Sequence, residues 1–313
     1  LSLKFVYKII AMISALVIVD ISSGFFNFGY GYDAFEENNF TYKSPYDHFR
    51  GKPNVLDHNK HGFRGLDIEE YDEGNFFKIA FFGGSTGYAG NPSIPEILNF
   101  KLNQDFELKM FNFSSVGSNH NQHLVRLLLF SEYKFDLIIF YGGYNETQQP
   151  FYYDPRPGVP GAYYSNQITL INKFLIKYSN IIGEVDYNFG FFSNYKKLVN
   201  NVRDKDVNSW IDSVVKNYFD TLSKAKKVST KLIDPNVCLK SHFIGVYQPH
   251  QSIHLTTDKI RYKIREIIKK NNDYFDFSDL KNKIVFIDIV HINQESKSII
   301  AENIYNKVYP ILN

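Results

Sequence analysis

Apolar residues recur along this chain in two rhythms. Five short segments, the mostly apolar Lys78–Phe82, Lys134–Tyr141, His242–Gln248 and Lys283–Ile289 and the more mixed Phe106–Phe113, have strand length, and KFDLIIFY in particular reads as a strand buried on both faces. Between and after them, apolar positions take the spacing of helices packed along one face. These are Ile97, Leu98 and Leu102 in Pro95–Gln104, then Leu124, Val125, Leu127 and Leu128 in Asn121–Tyr133. Ile211, Val214, Val215, Phe219 and Leu222 follow in Ser209–Leu232, a basic helix is expected over Thr257–Lys270, and Ile300, Ile304 and Val308 close the chain behind an N-cap at Asn293. The first three strands each end in a glycine turn: Gly83-Gly84-Ser85, Ser114–Asn119 around Gly117, and Gly142–Glu146. Repeated strand, turn and helix units predict an α/β fold on a parallel five-stranded sheet with right-handed crossovers. Its strands are expected at Lys78–Phe82, Phe106–Phe113, Asp136–Tyr141, His242–Tyr247 and Val285–Ile289.

Outside these units the pattern changes. Lys4 and Lys8 precede an apolar run, Ile9–Val19, that Asp20 ends, so residues 1–26 are expected to be an apolar helix acting as a signal anchor or signal peptide. Phe5–Tyr7 and Ile21–Phe26 could lengthen the run, Ser22-Ser23-Gly24 offers a cleavage point, and a buried helix is the third reading. Lysines ahead of the run would leave the rest beyond the cytoplasm, membrane-anchored in the periplasm or at the cell surface, or secreted. Residues 27–74 read as an irregular arm with His58 and His61 in loops and Arg64, between Phe63 and Gly65, as a structural anchor near the site. Residues 75–313 form the main domain, in which 150–208, rich in Tyr, Phe, Asn and Pro, is an insertion of the kind that carries specificity.

Composition narrows the classes. A chain of 313 residues supports one domain with an insertion or two domains, and the first is favoured. Aromatic residues at 17% argue against disorder, and a net charge of +2 leaves no nucleic-acid footprint. The single cysteine, Cys238, excludes an intrachain disulfide and a cysteine-rich metal site and reads as a buried, inert thiol.

The candidate chemistry lies in the turns. Ser85 stands at the tip of a strand-to-turn transition, at the carboxyl end of the sheet where open α/β folds place their sites. Far away in sequence, Asp288-Ile-Val-His291 supplies the base and orienting carboxylate that a nucleophilic serine needs. Over Lys78–Gln149 and His242–Val308 the chain resembles the SGNH (GDSL-like) hydrolase superfamily, through GGST, SSVGSN, GGYNE and DIVH in that order. The resemblance implies a three-layer flavodoxin-like fold and a Ser-His-Asp triad of Ser85, His291 and Asp288. It also implies an oxyanion hole from the amides of Ser85 and Gly117 and the Asn145 side chain, with no cofactor and no metal. One departure is Gly84, where the GDSL pattern has aspartate. The arm Asn59–Gly65 and the pair Gln248-Pro249 look like the anchored members associated with bacterial surface polysaccharides. The expected activity is therefore removal or transfer of an O-acyl group, O-acetyl foremost, on a carbohydrate or another small ester. The partners expected are that substrate and, through the N-terminus, a membrane; oligomeric state stays open. The competing reading is a non-catalytic glycan-binding or polysaccharide-assembly protein whose aromatic insertion, Phe151–Phe192, stacks on sugars.

Overall fold

A computed structural model describes residues 3–25, 40–44, 48–72, 76–151, 206–232, 239–251 and 255–313. The chain divides into two compact units, one of 1–40 with 164–197 and the other of 41–163 with 198–313. In the first unit, Leu3–Phe25 form helix α1. No helix among the described residues is long and apolar enough to cross a membrane. This overturns the expected membrane anchor and removes the basis for placing the domain beyond the cytoplasm. The physical reason is length: Ile9–Val19, bounded by Lys8 and Asp20, covers roughly 16 Å as a helix, against about 30 Å of hydrocarbon.

The second unit begins with a hairpin of β1 (Thr41–Ser44) and β2 (His48–Gly51). Then come β3 (Phe77–Gly83), α2 (Ser85–Tyr88), α3 (Ile94–Leu102) and β4 (Leu108–Asn112). They are followed by α4 (His120–Leu129), β5 (Leu137–Gly142), α5 (Tyr144–Gln148) and α6 (Val207–Leu232). The unit ends with β6 (Phe243–Tyr247), α7 (Leu255–Ile268), β7 (Tyr274–Asp276) and α8 (Gln294–Leu312). The sheet is parallel throughout, in the order β4-β3-β5-β6-β7.

Alternation along the strands explains the layers. Ala80, Phe82, Ile138, Phe140, Phe243 and Tyr247 join one core with Leu127 of α4, Trp210, Val214 and Leu222 of α6, and Ile260 and Ile264 of α7. Ile79, Phe81, Leu137, Ile139, Ile244 and Val246 join the other with Leu98 and Leu102 of α3 and Ile300, Ile304 and Val308 of α8. Helices therefore cover both faces, and β3, β5 and β6 end together, with Gly83 paired to Tyr141 and Gly142 to Tyr247.

Four strands lie within a residue or two of the expected runs; the fifth does not. The last strand is Tyr274–Asp276, and Val285–Ile289 is an irregular segment held by an isolated bridge between Phe286 and Ile292. Val285 and Ile287 are 60% and 72% exposed, so the β-branched run that imitates a buried strand in sequence turns much of its apolar surface to solvent. Most of the insertion (152–205), including most of Phe151–Phe192, lies outside the described residues, as does Cys238.

Candidate active site

Ser85 opens α2 directly after β3. Gly84, extended at φ −79°, has little room for a side chain, because a Cβ there would lie 2.9 Å from Asn145 Nδ2 and 3.0 Å from the Ser118 carbonyl. The serine turn and the Asn145 side chain pack closely at this position. The turn is held from several sides. Thr86 Oγ1 donates to Gln248 Oε1 at the end of β6 (2.7 Å), and buried Arg64 donates through Nη1 to the carbonyls of Tyr88 and Gly90 (both 2.5 Å). The same guanidinium is paired with Asp57, its Nε 2.6 Å from Oδ2. His58, expected in an exposed loop, is instead buried, with Nε2 2.6 Å from the Tyr88 hydroxyl and Nδ1 3.1 Å from the Lys52 carbonyl. Its burial lowers its pKa, which keeps the ring neutral. The arm thus braces the serine turn, and Asn59 shapes it: its Oδ1 accepts from His61 N and Phe63 N, while its Nδ2 donates to Leu66 O.

His291 Nε2 lies 2.8 Å from Ser85 Oγ, and His291 Nδ1 lies 2.6 Å from Asp288 Oδ2. The other Asp288 oxygen accepts the amides of Val290 (2.8 Å) and His291 (2.7 Å), so the four-residue turn fixes the carboxylate against its own histidine. Partial burial pushes the Asp288 carboxyl up, but the amides of His291 and Val290 and the imidazole outweigh it and hold its pKa below the ordinary value. With the carboxylate ionised, the Nδ1–H tautomer is favoured and Nε2 presents a lone pair to the serine hydroxyl.

Two further turns flank this chain of groups. Gly117 sits at φ +68°, a conformation that favours glycine, and its carbonyl accepts from Gln149 Nε2 (2.7 Å). Among the described residues the amides of Ser85 and Gly117 have no acceptor. Asn145 Nδ2 donates to the Ser118 carbonyl (2.7 Å), which aims the amide at the serine turn and leaves its second hydrogen for another acceptor. Of the residues named from sequence, Ser85, Gly117 and Asn145 follow the carboxyl ends of β3, β4 and β5, and His291 with Asp288 reaches Ser85 there.

Other polar residues gave no signal in the sequence. Gln149 ties Gly117 to Asn119, whose Nδ2 donates to Gln149 Oε1 (2.6 Å). Glu146, buried next to Asn145, accepts the amides of His120 (2.7 Å) and Gly143 (2.6 Å) and so links the starts of α4 and α5. His120 and His123 are buried beside it. An NHNQH segment at helical spacing carries none of the ligand signatures that betray a polar cluster, and only the tertiary fold brings these groups to Glu146.

No protein-family profile matches the sequence, and no curated protein matches it. Among solved structures, the chain is similar to a lipase/acylhydrolase from Enterococcus faecalis at 11% identity and a TM-score of 0.38, covering 74% of this chain and 94% of that one. It is also similar to a protein assigned to the lipolytic G-D-S-L family from Desulfitobacterium hafniense at 12% identity and a TM-score of 0.39, over 74% and 99%. A third likeness is to a gut microbial diltiazem-metabolizing enzyme at 13% identity and a TM-score of 0.41, over 74% of this chain and 46% of that one.

Proposed function

We propose that the protein is a serine hydrolase of the SGNH type that cleaves or transfers an O-acyl group through Ser85, His291 and Asp288. The observation that carries this reading is the continuous contact chain Ser85 Oγ, His291 Nε2, His291 Nδ1, Asp288 Oδ2, at 2.8 and 2.6 Å. In this mechanism His291 takes the serine proton as Oγ attacks the ester carbonyl, then returns it to the leaving alkoxide. The amides of Ser85 and Gly117 and the Asn145 Nδ2 donate to the oxyanion, each worth roughly 3–4 kcal/mol in comparable sites. Water completes hydrolysis of the acyl-enzyme; a sugar hydroxyl in the same place completes transfer.

The finer proposal is an O-acetyl group on a carbohydrate. It is supported by two sequence blocks that look like those of polysaccharide-associated members, Asn59–Gly65 and Gln248-Pro249. Both bear directly on the serine turn, through Arg64 to Tyr88 and Gly90 and through Gln248 to Thr86. The test is kcat/KM on p-nitrophenyl acetate, butyrate and octanoate, and acetate release from peracetylated sugars, for the wild type and Ser85→Ala. A preference for acetyl esters with release from the sugars, both lost in Ser85→Ala, is the expected result. Turnover of octanoate alone would exclude the acetyl reading, and turnover that survives Ser85→Ala would exclude the mechanism.

A further inference from the structure

Three buried donor groups that the hydrolytic chemistry leaves unused converge next to the Asn145 turn. His120 and His123 project from neighbouring positions on one face of α4, and Glu146 follows Asn145 on α5. All three are less than a tenth exposed. His120 Nδ1 lies 3.2 Å from His123 Nδ1 and 3.2 Å from Glu146 Oε1, and one ligand atom from each of the three falls within 4.8 Å of the others. A tetrahedral centre with bonds of about 2.0–2.1 Å sets its donor atoms about 3.3 Å apart. Two edges of such a site are therefore already formed.

The surroundings favour an ion over a plain hydrogen-bonded cluster. A neutral imidazole carries one N–H, so a proton on His120 Nδ1 can serve Glu146 or His123 but not both well. Neither Nε2 has a hydrogen-bond partner among the described residues, and the Gly83 backbone lies beside the His123 ring. The rings are fixed by aromatic walls, His120 against Phe140 and Tyr218 (centroids 5.6 and 4.9 Å apart) and His123 against Phe140 and Phe82 (5.4 and 6.5 Å). Buried Arg126, the nearby cation, donates to Ser118 Oγ (2.6 Å) and the Phe113 carbonyl (3.1 Å), and its charge also reaches His123. A small cavity of about 10 Å³, lined by His120 and Glu146 together with both polar residues (Asn119, Asn217) and apolar ones (Val214, Tyr218), adjoins the cluster and has room for about one water as a fourth ligand.

We propose that His120, His123 and Glu146 form a divalent-cation site, with zinc the ion that the two imidazoles, one carboxylate and near-tetrahedral spacing fit best. Bound there, the ion would cross-link α4 to α5, the helices that follow the Gly117 and Asn145 turns. Its role is structural, because the cluster is buried and makes no contact with Ser85 or His291.

The test uses the full chain, purified without chelator and titrated with Zn²⁺ and Co²⁺. Readouts are metal content by mass spectrometry, Tm, and the visible spectrum of the cobalt form. The expected result is about one ion per chain, a zinc-dependent rise in Tm and an intense tetrahedral cobalt band, all lost in folded His123→Leu. Should that variant not fold, the wild-type cobalt titration decides alone. A folded wild type that takes up no stoichiometric zinc or cobalt overturns the proposal, as does equal uptake by His123→Leu.

Discussion

At the residue scale, the most informative position is one where a side chain would press on its neighbours. Gly84→Ala should place a methyl 2.9 Å from Asn145 Nδ2 and 3.0 Å from the Ser118 carbonyl, displacing the amide proposed to donate to the oxyanion. We expect kcat to fall roughly a hundredfold with KM little changed, since a misplaced donor acts on charge that develops in the transition state. Steady-state kinetics with circular dichroism as a folding control checks this; an unchanged kcat would show that the close approach has no functional weight. The same residue shows where sequence reading stops. Ser85, Asp288 and His291 stand out because strand-end turns and a four-residue Asp-to-His spacing are local signals. The crowding at Gly84 is not local, since it comes from Asn145 and Ser118, dozens of residues away. His120, His123 and Glu146 are silent for the same reason.

At the element scale, the serine turn is a four-residue helix that relies on neighbours for its position. Arg64 holds its far end through two carbonyls and is itself 5% exposed. Arg64→Met keeps much of the volume but leaves Asp57 and both carbonyls without their donor. It should cost on the order of 3 kcal/mol in urea unfolding and lower kcat as the serine turn loosens. Loss of less than about 0.5 kcal/mol would reduce Arg64 to a bystander. The longer helices packed on the sheet and four of the strands were legible because their apolar spacing reflects burial against a two-faced sheet, whereas the short helices at Ser85–Tyr88 and Tyr144–Gln148 read as turns. β7 was not: three residues flanked by Asn and Asp carry almost no pattern. Its place was given instead to Val285–Ile289, whose β-branched residues resemble a strand but serve as the segment that presents Asp288 and His291.

At the scale of the whole molecule, buried neutral histidines set the response to acid. His250 donates from Nδ1 to the Gln251 carbonyl (3.0 Å) and accepts from the Tyr247 hydroxyl at Nε2 (2.9 Å), and the second of these bonds requires the neutral ring. Burial lowers its pKa from 6.5 to about 4. In that interval the unfolded chain binds a proton that the native chain refuses, so stability is full above about pH 6.5 and falls as the pH drops toward 4. From this group alone the loss is on the order of 3 kcal/mol. Urea unfolding at pH 7.5, 5.5 and 4.0 should show the decline, and His250→Gln should flatten it; an equal slope in a folded variant would assign the effect elsewhere. The central claim, that three distant turns assemble a reactive serine, is tested most directly by a fluorophosphonate probe with the labelled peptide sequenced. The account predicts a single adduct on Ser85, absent in Ser85→Ala and much slower in His291→Ala. A folded wild-type protein that takes up no probe, or takes it up on another residue, would contradict it.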